Sequence, residues 1–157
     1  MSYSKVFKYN EKGTNIPALV PYNPEKETYY ELIKKSRKKG LRQIIINSEI
    51  MTELMYNTLS HEGLILDINL SDNTDKISKD NVESILHAIR KNKLNFIKLR
   101  EELDWAIERE SIDISNIIIY IDNIKLEIKS NGIIIGEINN YFFDKVMKPT
   151  LENYLNG

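Results

Sequence analysis

The sequence predicts an α+β fold: an N-terminal hairpin and βαβ unit, a central helix or helical hairpin, and a C-terminal three-stranded antiparallel meander with a terminal helix. Three observations lead there. Short β-branched or aromatic runs with a two-residue period lie towards both ends of the chain. Apolar residues at helical spacing fill the middle, and Asn, Asp and Gly punctuate the runs. A chain of 157 residues is about one domain long, so 1–157 is expected to share one core, with Ser71 to Ser78 dividing at most two lobes, 1–70 and 78–157.

The elements follow in order. Tyr3 to Tyr9 has the period of a strand, and Asn10-Glu11-Lys12-Gly13 reads as the turn of a first hairpin. Pro17 and Pro21 confine Thr14 to Tyr22 to a sheet edge, because proline donates no ladder hydrogen bond. Asn23 as cap, Pro24 at the first helical position and acidic Glu25 and Glu27 open a helix that Lys34 to Lys39 and Gly40 close. Leu41 to Ile46, with Ile44-Ile45-Ile46, reads as a strand buried on both faces. Ser48 is the expected cap of a helix from Glu49 to about Ser60, which His61-Glu62-Gly63 ends, and Leu64 to Leu70 is the next strand. Strand, helix and strand in close succession suggest a parallel βαβ unit.

Ser78 is the expected cap of a helix with the stripe Val82, Ile85, Leu86 and Ile89. Asn92 marks a possible break before a stripe of Phe96, Leu99, Leu103 and Ile107 that reaches Glu110, so one long helix and a helical hairpin both fit. Asn116 to Ile121, Ile124 to Lys129 and Ile133 to Ile138, separated by Asp122-Asn123 and Ser130-Asn131-Gly132, form the meander. The last helix starts near Asn140 and is kinked or restarted at Pro149.

Composition narrows function. With no cysteine, disulfides, thiol catalysis and Cys-based zinc sites are excluded, and two histidines leave little for a His-rich metal centre. The bias towards Ile, Asn, Lys and Tyr points to an A/T-rich genome, such as a low-GC bacterium or its phage. Met1 to Lys5 lacks the apolar run of an export signal, and no apolar stretch would span a bilayer, so a cytoplasmic protein away from membranes is expected. The net charge of -1 hides an asymmetry: residues 1 to 60 carry 10 Lys/Arg against 6 Asp/Glu, and residues 61 to 157 carry 12 against 17.

Several residue patterns bear on chemistry. Asp113 followed by Glu127-x-Lys129 on the meander loosely resembles the PD-(D/E)xK nucleases, in which two carboxylates hold Mg²⁺ and a lysine steadies the attacking water. A solvated strand face of alternating charge accounts for the same residues. Asp67-x-Asn69-x-Ser71 starts like a calcium loop but has Asp72 and Ser78 where a glycine and a bidentate glutamate are required. His61 and His87 have no nucleophile at a recognisable spacing and read as surface histidines. Lys34, Lys35, Arg37, Lys38, Lys39 and Arg42 could contact phosphates of a nucleic acid or nucleotide, although cations at a helix C-terminus also offset its dipole. Tyr29 and Tyr30 on that helix could stack on bases, with one of the pair expected in the core.

Trp105 is the most informative position. At about 100° per residue it points away from the Phe96, Leu99, Leu103, Ile107 stripe, among Lys98, Glu101, Glu102, Glu108 and Arg109 with Leu94 and Ile97 flanking. Either the helix is buried on two sides, or Trp105 anchors a protein partner within an acidic rim. The expectation is a non-enzymatic binding protein of inhibitor, immunity or anti-defence type, without cofactor, that engages a protein and could also pair with itself through open strand edges. The alternative is a nuclease-like, Mg²⁺-dependent or nucleotide-binding protein using Asp113, Glu127 and Lys129.

Overall fold

The structure, a computed structural model, describes residues 2–71, 76–110 and 113–157, the side chains of 76–78, 106, 109 and 110 excepted. The chain is α+β, as expected. Its strands are β1 (Tyr3–Glu11), β2 (Thr14–Tyr22), β3 (Arg42–Gln43), β4 (Leu64–Leu70), β5 (Ile114–Ile121), β6 (Ile124–Lys129) and β7 (Ile133–Ile135). Its helices are α1 (Tyr29–Lys38), α2 (Ser48–Ser60), α3 (Lys76–Lys91), α4 (Phe96–Glu110), α5 (Asn140–Phe142) and α6 (Lys148–Asn156). All seven strands join one antiparallel sheet in the order β2-β1-β7-β6-β5-β4, with β3 pairing to β1 beside β7.

Local chemistry explains the turns. Lys12 and Gly13 both take positive φ, 52° and 86°, between the paired ends Glu11 and Thr14. A two-residue loop with positive φ at both positions matches the twist of the strands it joins. Asp122 and Asn123 repeat the device at 51° and 62° between β5 and β6, using residues whose short polar side chains tolerate that region. Asn92 leaves the helical region, and its side chain accepts the Leu94 N–H, so the central segment is a hairpin of α3 and α4. A π-type turn at Phe143–Met147 separates α5 from α6, with Pro149 in the first turn of α6.

The expected parallel βαβ unit is not present. Ile44 and Ile46 are buried but Ile45 is two-thirds exposed, so the run alternates instead of burying both faces. Only Arg42–Gln43 enter the sheet, antiparallel to β1 at Lys8 and Phe7, and β4 pairs antiparallel with β5 across the sheet. Helix starts also differ. Thr28, not Asn23, caps α1 by accepting the Glu31 N–H, while the Asn23 side chain accepts the Glu25 N–H in a preceding turn. Asn47 caps α2 through the Ile50 N–H, leaving Ser48 as its first residue. α3 begins at Lys76, two residues before Ser78, whose side chain lies outside the described residues.

The helices lie on two sides. Ile50, Leu54, Leu59, Val82, Leu86, Leu99, Leu103, Phe142, Val146 and Leu151 meet Val6, Ile65, Ile117, Ile119, Leu126, Ile128 and Ile134 from the sheet in one buried cluster. On the opposite face of β1, Lys5 and Phe7 are covered by α1 through Tyr29 and Leu32.

Both sheet edges are blunted. β2 carries Pro17 and Pro21, as the sequence reading anticipated. On β4 a register shift leaves Leu66 unpaired, Arg90 donates to its carbonyl at 2.7 Å, and the Asp67 carboxylate accepts the Ile68 N–H at 2.9 Å.

Gly132 has φ +87°, and a Cβ there would stand 3.2 Å from the Ile44 and Val6 carbonyl oxygens and the Lys5 Nζ. Gly132→Ala is expected to lower stability by about 1–3 kcal/mol, read as a lower urea midpoint at unchanged m-value.

Candidate functional site

The exposed surface of the α3–α4 hairpin is the candidate site, because it carries large apolar side chains that packing does not explain. Leu94, Ile97 and Trp105 are 74%, 63% and 50% exposed. Ile97, Glu101 and Trp105 are four residues apart and so form one line along α4, while Phe96, Leu99 and Leu103 fill the core on its other side. Trp105 is therefore not buried on two sides.

α2 completes the surface. Glu49, Thr52 and Glu53 of α2 and Arg100, Asp104, Ile107 and Glu108 of α4 line a cleft of about 430 Å³. Glu49 and Glu53 also line a second cleft, about 540 Å³, with Asn57, Pro149, Thr150, Asn153 and Tyr154 beside α6. Arg100 is committed within the first cleft: it pairs with Glu53, and its guanidinium lies 5.7 Å from the centre of the Tyr56 ring, which packs on Phe96 at 5.8 Å. That leaves Glu49, Asp104 and Glu108 to set the sign of the cleft.

The structure splits the expected rim. Glu101 is exposed beside Trp105 and Glu108 enters the cleft, but Glu102 is half-buried and turned to α3, where Asn81 donates to it at 3.5 Å. The Arg109 side chain lies outside the described residues. Glu49, Glu53 and Asp104 were missed by the sequence reading. The first two stand one turn apart on α2, yet only tertiary packing brings them to α4.

The nuclease-like set does not assemble. Asp113 lies at the start of β5, where Ser48 Oγ stands 3.4 Å from its carboxylate and accepts the Ile114 N–H at 2.9 Å. Glu127 pairs in register with Ile118, five residues along β5, or roughly 16 Å at strand rise. Lys129 lies 4.0 Å from Glu127 on the face away from the buried Leu126 and Ile128. Asp113 and Glu127 thus cannot share one Mg²⁺ in this arrangement, and the described residues hold no group of three His, Cys, Asp or Glu arranged for a metal. No helix among them is long and apolar enough to cross a membrane.

The basic residues divide as well. Lys34, Arg37 and Lys38 are exposed on α1, Lys35 pairs with Glu27 at 3.0 Å, and Lys39 caps the helix. Arg42 pairs in register with Lys8, so it projects from the other sheet face. His87 is exposed, and His61 closes α2 with Nδ1 2.8 Å from the Asn57 carbonyl oxygen.

Two titratable groups among the described residues, Lys5 and Tyr29, are perturbed by burial, and both lie away from this surface, under α1. Lys5 is fully buried, its Nζ bonds the Asn131 carbonyl, and it lies 5.4 and 5.3 Å from the centres of the Phe7 and Tyr29 rings. Desolvation lowers its pKa from 10.5 to about 8. Burial, and then the neighbouring Tyr22, raises that of Tyr29, whose hydroxyl donates to Gln43 at 3.1 Å.

No known protein family, curated protein or solved structure matches the chain.

A lysine with a folded pKa below its unfolded value binds its proton more tightly when unfolded. Stability is therefore expected to rise with pH from about 8 towards 10.5, and Tyr29 opposes this only near and above its ordinary 10.0. Urea midpoints between pH 7.5 and 9.5 should increase in the native protein and stay flat in Lys5→Met, both being approximate bounds set below tyrosine titration.

Proposed function

We propose that this chain is a non-enzymatic protein-binding factor that works inside the cell by occupying a partner, as an inhibitor, immunity or anti-defence protein of a low-GC bacterium or phage does. The observation that carries the reading is Trp105: a half-exposed indole on the outermost line of α4, beside a cleft whose uncommitted side chains are acidic. Exposed tryptophan is costly to leave in water and is enriched among residues that dominate binding energy. Leu94 and Ile97 extend the apolar surface, and Glu101, Asp104 and Glu108 give it a charged rim. The complementary partner presents a pocket for the indole ringed by Lys and Arg, as basic active sites do. Acidic groups at the rim would speed encounter and select the partner, while the indole would slow dissociation.

Affinity capture from the host cell, compared between the native protein and variants, tests this. Trp105→Ala is expected to leave folding stability within about 0.5 kcal/mol and to weaken partner binding by about 2 kcal/mol or more, roughly thirtyfold. Glu101→Lys with Glu108→Lys should chiefly slow association. A Trp105→Ala protein that unfolds, or that recovers the same partner with unchanged affinity, would contradict the reading.

A further inference from the structure

We propose that the solvent face of α1 is a contact site for single-stranded nucleic acid, with Tyr30 as stacking platform and Lys34, Arg37 and Lys38 as phosphate contacts. Inward, α1 presents Tyr29, Leu32 and Ser36, and the Tyr29 hydroxyl bonded to Gln43 fixes the rotation of the helix. That rotation sends the adjacent Tyr30 outwards, where it is 72% exposed. Lys34 follows it by four residues and Arg37 by seven, so the ring and both cations share one stripe, with Lys38 flanking.

The C-terminal dipole of the helix accounts for Arg37 and Lys38, which lie in its last turn. It does not account for an exposed aromatic ring upstream of them. An aromatic face with cations spaced along a rigid element is the combination by which proteins hold unpaired bases and their backbone. The acidic α2–α4 cleft does not cancel the field, because it lies on the other side of the sheet. Two layer spacings of about 10 Å each, one on either face of the sheet, separate the two, more than twice the screening length of about 8 Å at physiological salt. Glu31 is the carboxylate nearest the stripe in sequence, and Glu27 is taken by Lys35.

Fluorescence anisotropy with a labelled thymidine homo-oligomer, a duplex of equal length and inorganic polyphosphate tests the site. The native protein should bind the single strand more tightly than the duplex, with log Kd against log salt having a slope magnitude near 2, from three cations at about 0.7 each. Tyr30→Ala should weaken single-strand binding about five- to a hundredfold and leave polyphosphate binding unchanged. Lys34→Gln, Arg37→Gln and Lys38→Gln together should flatten the salt slope; all these side chains are exposed, so urea midpoints serve as the folding control. No binding at low salt, equal affinity for single strand and duplex, or a neutral Tyr30→Ala would overturn the proposal.

Discussion

The sheet depends on β1, which is hydrogen-bonded along both edges although it is the first strand of the chain. β2 lines one edge, while β7 and β3 share the other, at Tyr3 to Lys5 and at Phe7 to Lys8 respectively. The strand that anchors the N-terminal hairpin is therefore completed only when the meander, more than a hundred residues later, reaches it. Lys5 reinforces the junction by donating from under α1 to the carbonyl of Asn131 in the β6–β7 turn, and the Val6 N–H bonds the Gly132 carbonyl at 3.0 Å. Such non-local closure has a loop-entropy cost that local hairpins do not. It also gives the sheet two differently covered faces, α1 on one and the remaining helices on the other.

The two proposed contact surfaces lie on opposite sides of that division. The helices of the large core turn outward the acidic surface around Trp105, and α1 turns outward Tyr30 with its cations. A near-neutral chain thus carries an acidic cleft beside Trp105 on one side of its sheet and the cations of α1 beside Tyr30 on the other, each next to an exposed aromatic ring. Partners of opposite charge would meet different sides of the molecule without competing.

Much of the fold was legible where local chemistry decides it. The Lys12-Gly13 and Asp122-Asn123 turns and the prolines of β2 follow from residue type and spacing, whereas spacing left open both the choice between one long helix and a hairpin at Asn92 and the burial of Trp105. The parallel βαβ unit failed because a β-branched run signals a strand but not its partner; Arg42–Gln43 found β1, and β4 found β5. Thr28-Tyr29-Tyr30-Glu31 has the spacing of a capping box, and it outweighed the Asn23-Pro24 signal. Lys5 was illegible in principle: a lysine in an alternating strand reads as the wet face until α1 closes over it. The separation of Asp113 from Glu127 and Lys129 was hidden for a related reason, since sequence spacing carries no register, and the acidic cleft was missed because two helices distant in sequence build it.

The indole of Trp105 is half-exposed in the free protein, and the proposed function requires that this exposed face stay available to a partner. Trp105 is the single tryptophan of the chain, so intrinsic fluorescence reports on it alone. A half-exposed indole predicts long-wavelength emission from the native protein and ready quenching by acrylamide, weaker than in urea but the same at every protein concentration. A short-wavelength native emission shielded from acrylamide would contradict it, because the indole would then be packed within the fold or against a second copy.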